Sequence, residues 1–411
     1  MLLRARIVLP ISGPPIADGA VLISENRVAA LGRWCDLARA AAEPAADLGQ
    51  VILLPGLVNA HCHLDYTDMA GQPAPRQFGD WIKGIRARKA AASYADYAQA
   101  WLRGAAMLQR TGVTTVGDIE AVPELLPDVW SSTPLRVASF LEMTGVQSRR
   151  DPGAILQEAA AKIAALRPER GFVGLSPHAL YSTTPALLRA SAQLAALQNW
   201  RITMHVAESI DEFEMCAHRR GPIFDWLKSQ RDMSDCGHGT PVQQIRRCGL
   251  LGERFLAVHA NYLQPPDIAA LAQTRSSVVH CPRSHAYFRH QPFHYQELAA
   301  ARVNVCLGTD SLACVTPARP PGPELNLFTE MQTFASVNPG VTPSDILRLA
   351  TCHGARALGL QGSVGEIAPN SFADLITIPY SGKIKEAEAA VVHHCGNVTG
   401  SMIEGKWIGK S

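Results

Sequence analysis

The 411-residue chain has no uninterrupted apolar run near the roughly 20 residues that cross a bilayer, so no transmembrane helix is expected. Its apolar start, MLLRARIVLP, breaks at Pro10 with no small-residue cleavage site behind it, and no signal peptide is read there. Charge of one sign is also missing: 38 Lys and Arg face 36 Asp and Glu, a formal net charge of +2. That balance leaves no electrostatic footprint for nucleic acid or an anionic membrane, and a small-molecule partner is the expectation. Ten cysteines occur without a CxxC pair or the spacing of a disulfide framework or a cysteine-built zinc site. As scattered, mostly buried thiols they fit the reduced interior of a cytoplasmic enzyme. Composition leaves a homo-oligomer open.

What is present has a clear order. Residues 1–54 alternate short apolar runs with turn signals such as Gly13-Pro14-Pro15 and Asn26, and residues 361–411 repeat that style, ending in a hairpin with a tight Gly405 turn. The two ends are expected to pair into one small composite β-sandwich domain. Between them, over 55–360, Val/Ile/Thr-rich runs alternate with Ala/Leu-rich amphipathic stretches, the pattern of βα units. Strands are expected at 52–60, 114–118, 136–141, 172–176, 201–205, 255–259, 277–280 and 304–308. Helices are expected at 94–111, 152–166, 185–199, 266–274, 296–301 and 343–358, several opened by proline. Eight such units predict an α/β fold, a (β/α)8 TIM-type barrel. Residues 209–252 exceed one crossover and predict an insertion over the barrel mouth, with a mobile loop at 235–241.

His61-Cys62-His63 ends the first barrel strand, and a period of two presents both imidazoles on one side. Neutral imidazole is a ready ligand for a divalent ion. His178, His205, His259 and Asp310 follow or end strands 4, 5, 6 and 8, at the barrel end where active sites are built.

These residues sit in four motifs: Leu54-Pro55-Gly56-Leu57-Val58-Asn59-Ala60-His61-Cys62-His63, Met204-His205-Val206-Ala207-Glu208-Ser209, Ala257-Val258-His259 and Gly308-Thr309-Asp310-Ser311-Leu312. In that order they resemble the amidohydrolase superfamily, and within it the deaminase branch, with adenosine-type, guanine and aminodeoxyfutalosine deaminases and the triazine chlorohydrolases. The resemblance implies that His61, His63, His205 and Asp310 hold a divalent metal, zinc or iron, with manganese also suited to the donors. It implies Glu208 as proton shuttle, His259 as partner of the activated water, and Asp310 as acceptor of that water's proton. Two-metal members place a carboxylated lysine at the end of strand 4. Here Gly174-Leu175-Ser176-Pro177-His178 has none, which implies one metal.

For substrate contacts the resemblance implies His178, in His178-Ala179-Leu180-Tyr181. Glu142 after strand 3 is a candidate for sugar hydroxyls, Arg149 and the adjacent Arg150 for a carboxylate, and Trp81 with Phe78 for ring stacking. Arg283 and His285 depart from the branch's strand 7 pattern and would bring a cation near the pocket, and Ala313-Cys314-Val315 departs after strand 8. The leading expectation is hydrolytic deamination of an aminopurine nucleoside-like N-heterocycle, with aminodeoxyfutalosine as first candidate; Glu212 and Glu214 add to that likeness. Chloride loss or cyclic-amide hydrolysis of the imidazolone type would use the same ligands. A non-catalytic scaffold would be expected to have lost ligands, and all six site residues are present.

Overall fold

The computed structural model describes residues 1–39, 45–71, 77–146, 150–316 and 322–409. Eight parallel strands form the barrel: β1 (Leu57–Cys62), β2 (Val113–Glu120), β3 (Arg136–Met143), β4 (Gly171–Pro177), β5 (Ile202–Val206), β6 (Phe255–His259), β7 (Ser277–His280) and β8 (Val305–Leu307). The ring closes where Cys62 bridges Asp310 in parallel and the Thr309 and Asp310 N–H groups donate to His61 O at 3.0 and 3.1 Å. β1, β2 and β5 to β8 are buried along their whole lengths, as parallel strands covered on both faces must be, which is why they read as apolar runs. The surrounding helices start where the sequence supplies a cap and a proline. Asp151 accepts from Ala154 N–H at 2.9 Å before Pro152–Ala165, and Thr184 and Thr342 do the same ahead of Pro185–Gln198 and Pro343–Leu349.

The remaining strands belong to one sheet drawn from both chain ends. Leu2–Val8, Ile16–Ser24, Arg27–Arg33, Ala45–Asp47 and Val51–Pro55 join Leu375–Pro379, Gly400–Ile403 and Lys406–Ile408. Alternation buries both of its faces. Leu3, Ala5, Leu53 and Met402 share a core of the sheet's own, while Ile52, Leu54 and Ile378 pack into the core that surrounds the barrel. Arg136 at the start of β3 reaches this sheet, 3.0 Å from Glu404 and 3.4 Å from Asp374.

Two expected elements divide. The run 52–60 is not one strand: Val51–Pro55 pairs with Leu375–Pro379 in the terminal sheet, and the barrel begins only at Leu57. Gly56 makes the transfer because the chain there presses on β2, where an added Cβ would lie 2.1 Å from Thr114 Oγ1. Gly56→Ala is therefore expected to destabilise the fold by about 1–3 kcal/mol, the range for overpacking; denaturant unfolding that shows no loss would refute this. The expected helix 343–358 is two, Pro343–Leu349 and Cys352–Ala357, broken at Thr351 (φ −137°, ψ −101°).

The segment after β5 carries helices Ile210–His218, Pro222–Leu227 and Pro241–Arg247. Its 235–241 turn is tied by Arg231 and Gln244 to the Asp235 carboxylate, each at 2.6 Å, and by Gly237 N–H to Cys216 O at 2.7 Å. None of the ten cysteines is paired, and seven are buried. Among the described residues no helix is long and apolar enough to cross a membrane.

Candidate active site

At the carboxyl ends of the strands the regular backbone gives way. β1 slips register between Asn59 and Cys62, and Ala207, His259, Ala260 and Asp310 adopt left-handed φ values of 49°, 71°, 50° and 53°. Such conformations are costly for residues with side chains, and they cluster here at one rim. Their effect is to turn side chains inward. Asn59 holds the β8 end in place, donating from Nδ2 to Thr309 Oγ1 at 2.7 Å and accepting from Thr309 N–H at 3.1 Å.

The result is a compact group of imidazoles and carboxylates. His61, His63 and His205 each bring a ring nitrogen within 4.8 Å of the others, and Glu208, His259 and Asp310 form an adjoining group on the same criterion. His63 Nε2 lies 3.2 Å from His205 Nε2. Asp310 Oδ1 is 3.8 Å from His61 Nε2 and 3.9 Å from His63 Nε2, while its Oδ2 is 3.9 Å from His259 Nε2. Both ring nitrogens of buried His61 lack any partner, as does His259 Nε2. Unsatisfied buried donors and acceptors are costly, and a shared divalent ion is the species that four such groups fit. His205 Nδ1, 3.0 Å from His178 O, is held so that Nε2 faces the group, the usual way a ligand imidazole is oriented.

Burial sets the protonation states. It pushes His63 down to about 3 and His205 well below the usual imidazole range, so both are neutral and competent as ligands. Burial also takes His259 to about 3, against the charge of Asp310, which favours the imidazolium. Burial opposes ionisation of Asp310, yet the imidazoles of His61, His259 and His63 around it hold its carboxyl well below the carboxylate range. Glu208 goes the other way. Burial first, then Asp310 and Glu212, raise it well above its ordinary value. Its main chain is clamped by Glu212 Oε2, which accepts Glu208 N–H at 2.9 Å, and by Asn261 Nδ2, which donates to Glu208 O at 2.9 Å. His259 Nε2 stands 3.5 Å from Glu208 Oε1.

Over this group lies a cavity of about 420 Å³, lined by His63, His178, His205, Glu208 and Asp310 on its floor and by aromatic walls that include Tyr66, Trp81, Tyr181 and Trp226. His178 lines it, its Nδ1 2.7 Å from Ser182 Oγ. Glu142 lines it too, and the Lys89 ammonium at 3.1 Å, with His178 and His63, carries its carboxyl down to about 2 against the burial that opposes ionisation. Trp81 contributes its ring and donates from Nε1 to Ala313 O at 3.2 Å; Phe78 packs behind it.

Other expected contacts lie elsewhere. Arg283 is not among the lining residues: its Nε donates to Glu330 Oε1 at 2.6 Å and its Nη2 to Glu324 O at 2.9 Å, so it joins the helix Pro282–Phe288 after β7 to the helix Leu327–Val337. His285 turns to Gln291 O at 2.9 Å and packs by His280. Arg150 pairs with Glu158 at 2.5 Å, Glu214 pairs with Arg220, and Arg149 lies outside the described residues. Sequence reading missed Tyr66, Arg86, Lys89 and Trp226. Tyr66 directly follows the His61-Cys62-His63 motif, and Arg86 and Lys89 share the helix Phe78–Ala91 with Trp81 at helical spacing, which are the signals that could have found them.

Cys314 bears on the metal centre directly. Its thiol, fully buried, lies 3.1 Å from Asp310 Oδ2, the oxygen that faces His259. Cys314→Ala is expected to lower kcat about 10-fold, the scale of one hydrogen bond to a charged group, and Cys314→Ser to recover most of it. Steady-state kinetics with metal content measured in parallel will check this; equal rates in the alanine and serine variants would count against the bond.

A (β/α)8 barrel with three histidines and an aspartate converging at its strand ends defines a metal-dependent hydrolase. The model of the Amidohydrolase family matches residues 52–408, and the chain belongs to that family, as a metal-dependent hydrolase acting on carbon–nitrogen bonds. It is 28% identical to the 5-methylthioadenosine/S-adenosylhomocysteine deaminase of Moorella thermoacetica over 96% of this chain and 90% of that protein. It is 30% identical to the aminodeoxyfutalosine deaminase of Deinococcus radiodurans over 84% of this chain and 82% of that one. Among solved structures, an adenosine deaminase from Xanthomonas campestris with bound zinc superposes with a TM-score of 0.85 at 25% identity, covering 99% of this chain and 92% of that one.

Proposed function

We propose that the chain is a hydrolytic deaminase of an aminopurine nucleoside-like compound, aminodeoxyfutalosine being the first to test. The observation that carries this reading is Glu208: a buried carboxyl biased to its protonated form, beside the metal donors and on the cavity floor. Relatives that are deaminases of adenosine-like nucleosides support it. His61, His63, His205 and Asp310 would hold one ion, zinc or iron, with manganese also chemically suited. Bound there, the ion supplies a Lewis acid that brings the pKa of a water near neutrality.

The chain's own groups do the rest. Glu208 donates its proton to a ring nitrogen beside the amino-bearing carbon, recovers one from the hydroxyl that water leaves on that carbon and passes it to the departing amine, and the first proton of the water, held at Asp310, then returns to Glu208, so that C–NH2 and water become C=O and ammonia. His259 and Asp310 orient the attacking water and take up its proton. His178 contacts the heterocycle, Trp81 stacks against the substrate, and the Glu142 oxygen not engaged by Lys89 accepts from a sugar hydroxyl. Ammonia release from a panel of aminopurine and aminopyrimidine nucleosides tests the reading. At least one aminopurine nucleoside should react, and silence across the panel from metal-replete protein would overturn it.

A further inference from the structure

One side of the cavity is a single helix, Phe78–Ala91. Trp81, Ile82, Ile85, Arg86 and Lys89 recur on it at three- and four-residue spacing, share a face, and line the cavity together. Its two ends are pinned, by Trp81 to Ala313 O and by Lys89 to Glu142. Lys89 is thereby neutralised, with its ammonium also 5.1 Å from the Tyr66 ring centre. Arg86 is in a different position. It is exposed at the rim, its guanidinium lies 5.9 Å from the ring of Trp226, and among the described residues no carboxylate or other acceptor partners it. Lys83, which also approaches Trp226, is taken by Asp80 at 3.1 Å. The acids lining the cavity are already committed: Asp310 and Glu208 to the metal centre, Glu142 to Lys89. Among the described residues that line the cavity, Arg86 is thus the cation with no acid beside it.

We propose that Arg86 is a specificity-determining residue for an aminopurine nucleoside whose 5′ substituent ends in a carboxylate or a similar single anion. The proposal rests on the deaminase reading and names its substrate class. With the purine toward the metal ligands, the substituent runs outward past Trp81 and Trp226, whose rings cover an apolar or aromatic spacer. Its acidic end then meets the planar guanidinium fork, which matches a carboxylate with two parallel donors. Because Arg86 is exposed, the attraction acts largely on encounter and weakens as salt is raised.

The test uses a matched pair, a 5′-carboxyalkylthio-5′-deoxyadenosine and its carboxamide, with ammonia release followed for the metal-loaded full chain. The carboxylate should show kcat/KM about 10-fold above the carboxamide at low salt, and the ratio should shrink at high salt. Arg86→Met, which keeps an apolar stem over Trp226, should bring the ratio close to one, and Arg86→Glu should invert it. Equal kcat/KM for the pair, or a preference that survives Arg86→Met, overturns the assignment of Arg86 and leaves the deaminase reading standing. No ammonia from either compound overturns the assignment of Arg86, and silence across the aminopurine panel as well overturns both.

Discussion

His61→Ala is expected to yield a folded chain that binds no stoichiometric metal and whose turnover has fallen by at least roughly a thousand-fold. His61 is 1% exposed, and neither of its ring nitrogens has a protein partner, so the imidazole has no visible structural duty to lose. Its removal leaves His63, His205 and Asp310, and takes from Asp310 Oδ1 a neighbour at 3.8 Å. Three donors bind a divalent ion more weakly than four, and without the ion no group in the cavity brings a water near neutral pKa. Elemental analysis of the purified variant, with its thermal melt and circular dichroism beside the parent's, separates metal loss from misfolding. A variant that kept both metal and turnover would remove His61 from the ligand set.

Glu208→Gln carries the second large effect, a fall in kcat of roughly 100- to 10,000-fold with metal retained and KM little changed, the span typical of a lost general acid. Glutamine matches the size of the protonated carboxyl that burial favours at this position, so packing and the clamp on the main chain from Glu212 and Asn261 should persist. What glutamine cannot do is give a proton away. The expected defect follows the leaving group, since an amine must be protonated as it departs and chloride need not be. Rates of ammonia release from a 6-aminopurine riboside and of chloride release from its 6-chloro counterpart will decide this. An equal fall for both would assign Glu208 to binding or to water orientation instead.

The barrel was legible because strands buried on both faces must be apolar throughout, and because proline and capping residues mark where Pro152–Ala165, Pro185–Gln198 and Pro343–Leu349 begin. Gly56 and Thr351 were not legible as breaks. An apolar run shows no seam when both halves are buried in different sheets, and helical periodicity continues through a residue whose dihedrals only packing decides. Arg283 illustrates the converse. As a cation after strand 7 it had every local qualification for the pocket, and the carboxylate that turned it away, Glu330, comes from a helix 47 residues further along.

The sequence by itself determined the class of fold, the identities of His61, His63, His205, Glu208, His259 and Asp310, and the absence of a strand 4 lysine. Each depends on residue type and on position within a strand, which are local and periodic. Tertiary structure alone decided that these six meet, through a register slip in β1 and left-handed turns at His259 and Asp310 that no spacing rule encodes. It also decided which cation faces the cavity. Arg86, Lys89, Arg150 and Arg283 are alike as sequence, and among the described residues an acid neutralises each but the first, Glu142 and Glu330 from distant elements and Glu158 from the adjoining helix. Partnering across the fold is a long-range property of charge and packing, and so the substrate-facing chemistry could be seen only once the chain had folded.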